Sequence, residues 1–256
     1  MRLRTARRHF TEDIKRSKAI FEHARHVPNK SLQGDLLRSS FMFSVGALDA
    51  FFCDAFGDLV SRTLSALEKE PIATIMDNFE NLSVPAVVLL KNAPTDGWRW
   101  RMAARAMIEK ENVLSITQIK KLFNRFFEDS EKLFCDNRLE GWMTHGRATN
   151  RVFGIARSDF LHLSGTDRIS AIKNGNKQLN SRYKVLFQRR HDCIHNCDRP
   201  KVAPQAIARI GSIKNMINDI EFLVDRCHDE LYSEFPRFLN RCGFSAVTRN
   251  QVGASR

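Results

Sequence analysis

Phe41-Met42-Phe43-Ser44-Val45-Gly46-Ala47-Leu48-Asp49-Ala50-Phe51-Phe52-Cys53-Asp54-Ala55-Phe56-Gly57-Asp58-Leu59 is the stretch on which the fold turns. Phe41, Val45, Leu48, Phe52, Phe56 and Leu59 recur at steps of three or four, the period of one helix face. The pattern begins near Leu36 and runs to Leu67, far longer than a strand. Gly46, Ala47 and Ala50 leave room for a neighbouring helix to come close. Asp49, Asp54 and Asp58 ride on the same helix, and each either faces water or orients an arginine or histidine from elsewhere.

Outward from this helix the pattern stays helical. Thr11 reads as an N-cap with Glu12 and Asp13 in the first turn, opening a helix that stops at about Arg25, before Val27-Pro28. Past Pro71 the chain is less regular to about Asn112, punctuated by Pro85, Pro94 and Gly97, with a short helix expected from Met102 to Lys110. Ser115 or Thr117 caps a helix reaching about Asp136, and a glycine-bearing loop (Gly141, Gly146, Gly154) follows, with a short apolar piece near Phe153. Thr166 reads as another cap. Asn174-Gly175-Asn176 reads as a break, after which helix resumes near Lys177. The last long helix spans about Pro204 to Tyr232, its stripe carried by Ile213, Ile217, Ile220 and Val224. The tail after Gly243 reads as frayed. These elements make an all-α fold: one domain over residues 1–256, with about 71–165 as a helical and irregular insertion.

Twelve glycines and seven prolines in 256 residues argue against an all-β architecture, and 43% hydrophobic content suits a globular core. The formal net charge of +12 attracts phosphate polymers or anionic membranes. The excess is spread over Arg2, Arg4, Arg7 and Arg8, over Arg99, Arg101 and Arg105, and over the acid-free last twenty residues; a generally basic solvated surface reads equally well. Six scattered cysteines without a C-x-x-C pair suggest reduced thiols in a cytoplasmic protein. No apolar run follows the basic N-terminus, so no secretory signal is expected. No uninterrupted run of about 18 apolar residues occurs, so no membrane partner is expected. Trp98-Arg99-Trp100-Arg101 either stacks bases and holds phosphates or anchors a loop to the core. His145 and His162 are isolated and read as surface or packed residues.

The chemistry concentrates in Gln188-Arg189-Arg190-His191-Asp192-Cys193-Ile194-His195-Asn196-Cys197-Asp198-Arg199-Pro200. On a helix, Tyr183, Leu186, Phe187, Cys193, Ile194 and Cys197 share an apolar stripe, and Arg190 falls in its middle. A charge there is costly unless paired or facing a wet interface. His191 and His195, one turn apart, line the stripe's edge. Three readings follow. The alternating His191, Cys193, His195 and Cys197 suggest zinc, but the two i,i+4 pairs point to opposite sides and no second ligand cluster appears. A structural reading pairs Arg190 with a buried Asp such as Asp49 or Asp54. A third is phosphodiester cleavage without a metal or other cofactor: histidine suits proton transfer near neutral pH, and the planar, always-charged arginine suits a phosphate gaining negative charge. Arg190 and His195 lie ~140° apart on one helix. Two copies across a two-fold axis would bring both pairs to one cleft.

The run Arg190-His191-x-x-x-His195 resembles the Arg-to-His motif of the HEPN superfamily, including the polar residue after the arginine. Arg189 through Arg199 is similar to the motif segment of the RiboL-PSP-HEPN type. Phe43-Ser44-Val45-Gly46-Ala47-Leu48-Asp49-Ala50-Phe51-Phe52 resembles that group's upstream helix, with Gly46 where serine is usual and Cys53-Asp54 where His-Asp is common. The resemblance leaves residues 71 to 165 unmatched. It implies a HEPN-like helical bundle and a metal-independent endoribonuclease of toxin or antiviral-defence type, acting on RNA as a homodimer, with a cognate antitoxin or defence-system partner. It assigns phosphate binding to Arg190, proton transfer to His195, and support of the phosphate or of His195 to His191, with Arg189 and Asn196 in supporting places. Its alternative is a non-catalytic HEPN-type module binding RNA, nucleotide or protein.

Overall fold

The computed structural model describes residues 3–72, 96–108, 113–196 and 209–253, with residues 3, 4, 96–98 and 196 described by backbone alone. Among them the fold is all-α, with no strand. The helices are α1 (Leu3–Arg25), α2 (Lys30–Lys69), α3 (Asp96–Ile108), α4 (Ile116–Phe123), α5 (Asp136–Thr144), α6 (Asn150–Phe153), α7 (Arg157–Leu161), α8 (Gly165–Asn196), α9 (Ile210–Arg241) and α10 (Ala246–Gln251).

The 40-residue α2 is the central rod. It starts where Asn29 Oδ1 accepts from the backbone N–H groups of Ser31 and Leu32, an N-cap that places its origin six residues before Leu36. Phe41, Val45, Leu48, Phe52, Phe56 and Leu59 are all buried, as their spacing requires. By length and composition alone α2 could cross a membrane; here half of its most apolar window is buried within the fold, against α1, α3 and α9.

α1 folds back antiparallel on α2. The two backbones come close at Ser17, whose hydroxyl donates to the Ser40 carbonyl (2.7 Å) and meets Ser44 Oγ (2.6 Å). Thr11 is not a cap. The helix starts by Leu3, and Thr11 Oγ1 donates back to the Arg7 carbonyl within it. The basic start is accommodated because Arg7 pairs with Asp225 of α9 and stacks over Phe10.

α3 begins earlier than the expected Met102 and takes in the Trp-Arg run as helix. It lies antiparallel on α2. Trp100 Nε1 donates to Glu68 (2.8 Å), so this indole anchors the helix. Asp54 accepts from Arg105 (2.9 Å) and is hydrogen-bonded to His9 (2.9 Å), tying α1, α2 and α3 at one carboxylate. Asp58, only 2% exposed, pairs with Arg62 at 3.1 Å. Neither aspartate is a solvated residue.

Ser115 caps α4, its Oγ accepting from the Gln118 N–H, but the helix ends at Phe123 rather than near Asp136. Phe126 turns inward there to meet Phe235 and Phe238 edge-on. Gly141 lies inside α5, and Gly154 ends α6 in the left-handed conformation (φ +76°). α8 starts at Gly165, with Thr166 already inside its first turn, and runs unbroken through Asn174-Gly175-Asn176. Gly175 serves a close approach: a Cβ added there would lie 3.0 Å from the Met143 sulfur of α5. Gly175→Leu is therefore expected to cost about 1–3 kcal/mol by overpacking, read as a lower urea midpoint with an unchanged slope.

α9 passes Tyr232 and continues through Pro236 to Arg241. The proline removes the N–H that would meet the Tyr232 carbonyl, on a face where Tyr232 is 43% exposed and water can serve instead. The tail from Phe244 to Gly253, read as frayed, is ordered. Phe244 is buried, Ser245 caps α10 and donates to Glu70, and Arg62 donates to the Gly253 carbonyl. Buried apolar residues from Ala6 to Phe244 form one continuous cluster, to which the 113–160 stretch contributes Phe123, Trp142 and Phe160.

Candidate active site

The site is built on the last turns of α8. Tyr183 and Leu186 are fully buried and Phe187 nearly so, which fixes the helix on the core. Tyr183 donates its hydroxyl to the Asp219 carbonyl of α9 (2.6 Å), and Arg182 pairs with the Asp219 carboxylate (2.7 Å). Beyond Phe187 the helix rises out of the core: Arg189, Arg190, Asp192 and Cys193 are half-buried, and His191 and His195 are exposed. Ile194, expected in the apolar stripe, is 45% exposed. Cys193 keeps to the stripe and packs against the core cluster. The side chain of Asn196 and residues 197–200, including Cys197 and Pro200, lie outside the described residues, as do 204–208, where the last helix was expected to begin.

Arg190 does sit where the apolar period wants a core residue. Its charge is close enough to Asp49 of α2 to act on it, yet among the described residues Arg190 forms no ion pair or hydrogen bond. Burial raises the Asp49 carboxyl above its ordinary value, and the attraction of Arg190 lowers it by less. The balance matters. A strong salt bridge would hold the carboxyl below its usual range. Here desolvation outweighs the attraction, and among the described residues no ion pair closes between the two.

The sign follows by linkage. A carboxyl raised on folding binds its proton more tightly in the native state, so its effect on stability is favourable below the ordinary Asp value of about 3.8 and is lost as pH climbs through the raised one. Asp49→Asn should thus leave the protein at least as stable at pH 7 as the parent, with a flatter stability profile just above pH 3.8, measured by denaturant titration across pH. A clear loss of stability at pH 7 would restore the structural reading of Arg190.

The His191 and His195 rings lie 4.3 Å apart between centroids, tilted by 44°. Either could exchange protons with a bound group. The Cys53 thiol, beside Asp49, is pushed up to about 11, chiefly by burial, which makes it a poor nucleophile near neutral pH. Among the described residues no group of three or more His, Cys, Asp or Glu side chains is placed to hold a metal ion. His145 packs beside Phe222, and His162 is exposed.

A groove of about 590 Å³ opens beside the motif, between α8 and the turn leading into α4. Arg190 and His191 close one end. Asn180, Lys184, Phe187 and Gln188 form one wall, and Ser115 and Thr117 belong to the other. Sequence reasoning found the motif end and missed the groove, because its second wall arrives from residues about 70 positions away in the chain. A signal for the first wall was available: Lys173, Lys177, Asn180, Lys184, Gln188, His191 and His195 recur at steps of three or four, on the polar face of α8.

No known protein-family model, no curated protein and no solved structure matches this chain.

Proposed function

We propose that this chain is a metal-independent endoribonuclease of HEPN type, acting at the exposed end of α8. The observation that carries the reading is an arginine set into an apolar stripe, bound by no ion pair among the described residues, beside two exposed histidines and an open groove. Arg190 binds the scissile phosphate through its planar fork and meets the charge that builds on it as the 2′-oxygen attacks phosphorus. One histidine takes the 2′-OH proton. The bond from phosphorus to the 5′-oxygen breaks, and an acid protonates that oxygen. The ends left are a 2′,3′-cyclic phosphate and a 5′-OH. His195 carries the proton transfer, and His191 supports the phosphate or orients His195.

One helix cannot aim both residues at one phosphate, since they lie ~140° apart around its axis. A homodimer resolves this by offering two copies of each. The α2 face next to Asp49 supports such pairing: Phe43 is 51% exposed, and at Gly46 an added Cβ would meet nothing within 4 Å. RNA is the substrate class, with a toxin or defence setting and a cognate inhibitor or defence partner as its context in a cytoplasm. The alternative of a non-catalytic binding module rests on the same groove, which could hold RNA or a nucleotide without cutting it. The test is incubation of purified protein with mixed tRNA and mRNA in EDTA, followed by end-group analysis. Fragments with cyclic phosphate ends support the nuclease. Intact RNA retained by a folded dimer moves the reading to the binding module.

A further inference from the structure

The polar face of α8 continues beyond the motif for most of the helix. Lys173, Lys177 and Lys184 are exposed, and none has an ion-pair partner among the described residues. Together with His191 and His195 they form one line, and residues 173 to 195 span ~33 Å of helix. This is unusual for the molecule, whose arginines are largely engaged with acids: Arg7 and Arg147 with Asp225, Arg138 with Glu230, Arg151 and Arg182 with Asp219, Arg241 with Glu234. On this face of α8 the cations are lysines, and the groove lies against it.

The groove has the make-up of a nucleotide seat. Its volume of about 590 Å³ falls inside the roughly 300–1,000 Å³ of small-ligand sites. Leu114, Ile116 and Phe187 give it an apolar floor, with Lys184 and Arg190 at its edge. Its two amide side chains are oriented by their own donated bonds. Asn180 Nδ2 donates to the carbonyl and side-chain oxygens of Asn176 (2.7 and 2.8 Å). Gln188 Nε2 donates to Asp192 Oδ1 (2.9 Å). Asn180 is left with a side-chain oxygen that can only accept, and Gln188 keeps its oxygen together with one N–H. Two acceptors over an apolar floor suit a base that carries an exocyclic amino group.

We propose that this groove seats the nucleotide adjoining the cleaved phosphate of a single-stranded RNA, preferring adenine, cytosine or guanine to uracil, and that Lys184, Lys177 and Lys173 hold the phosphates of the strand leading to it. This rests on the ribonuclease reading for what happens at Arg190 and His195. A single strand is required because a base must leave its stack to enter. Lys184 acts on the backbone and is indifferent to sequence. Asn180 and Gln188 set the preference.

The experiment uses the full chain as His195→Ala, so that bound RNA stays whole. Binding of fluorescein-labelled dodecamer RNAs, differing in one central base, is followed by anisotropy in EDTA over a range of salt. Lys184→Ala is expected to weaken every dodecamer about 5-fold and to lower the salt slope by about one. Asn180→Leu should abolish a roughly 10-fold preference against uracil while leaving that slope alone. Lys214→Ala, which removes an exposed charge from α9, controls for net charge and should change binding less than 2-fold (roughly the scatter expected of surface positions). Lys184→Ala and Asn180→Leu both behaving like Lys214→Ala would overturn the proposal. Cut-site sequencing with the wild type separates the two ideas. Cleavage that persists with binding indifferent to Lys184 and Asn180 removes the groove and leaves the nuclease. Lys184-dependent, base-selective binding by a wild type that never cuts removes the nuclease and leaves the groove.

Discussion

Replacing His195 by alanine should lower RNA cleavage by about 100- to 10,000-fold, the usual worth of a positioned general acid or base. The protein should remain folded. His195 is exposed, and the nearest ring among the described residues is that of His191, so its loss should change stability by no more than about 0.5 kcal/mol. Arg190→Ala should cost about 100- to 1,000-fold, as the loss of one preorganised donor to a developing charge does. Arg190→Lys should recover little, because an ammonium keeps the charge but not the two-point planar contact. The measurement is a time course on labelled RNA in EDTA, with circular dichroism and urea midpoints for each variant. Activity lost with the midpoint unchanged places both residues in the chemistry. A parallel fall of activity and midpoint for Arg190→Ala makes that arginine a structural residue and withdraws the mechanism.

The largest stability loss is expected at Asp219, far from the reactive end. This carboxylate is 1% exposed and lies in the seam between α8 and α9, where it meets Arg182 at 2.7 Å and Arg151 at 3.0 Å. Asp219→Ala leaves two partly buried guanidinium groups without their anion. Removing one partner of a buried pair costs about 3–5 kcal/mol, more than the pair itself contributes, because the survivor's desolvation is no longer offset. The Tyr183 hydroxyl bond goes to the Asp219 backbone carbonyl and survives the substitution, so the loss isolates the charge. Urea unfolding measures it. A loss under about 1 kcal/mol would mean that water reaches the two arginines as the side chain is cut back.

The fold was legible where one side of a helix repeats without interruption. α2 is the clearest case: Phe41 to Leu59 keep their period, and all six named apolar positions are buried. Misreadings came where a residue with a strong local preference serves a tertiary purpose. Gly175 looked like a break because glycine weakens an isolated helix, but the Met143 contact selects it. Thr11 looked like a cap, while the true start lies among arginines that a helix N-terminus disfavours; Arg7 is offset by Asp225 from the far end of the chain. The tail was read as frayed because Glu70 and Arg62, its partners, are distant in sequence. At the site, the period of α8 alone exposed the misplaced Arg190, and Asp49 was one of two aspartates named as its neighbour. The other, Asp54, is occupied by His9 and Arg105. The groove could not be read from sequence, since no local pattern tells that the turn before α4 will lie against α8.

The segregation of charge has a consequence for how the molecule meets ionic strength. Five carboxylates are turned inward: Asp58, Asp219 and Glu234 are buried, each facing arginine, and Asp54 and Asp225 are largely covered. The lysines of α8 face the solvent. Mobile ions reach the second group more freely than the first, and the Debye length shrinks from about 10 Å at 0.1 M salt to about 3 Å at 1 M. Concentrated salt therefore silences the outward field while the inward pairs go on holding α8 to α9. The molecule is in effect insulated, its architecture and its attraction for polyanions running on separate electrostatic circuits.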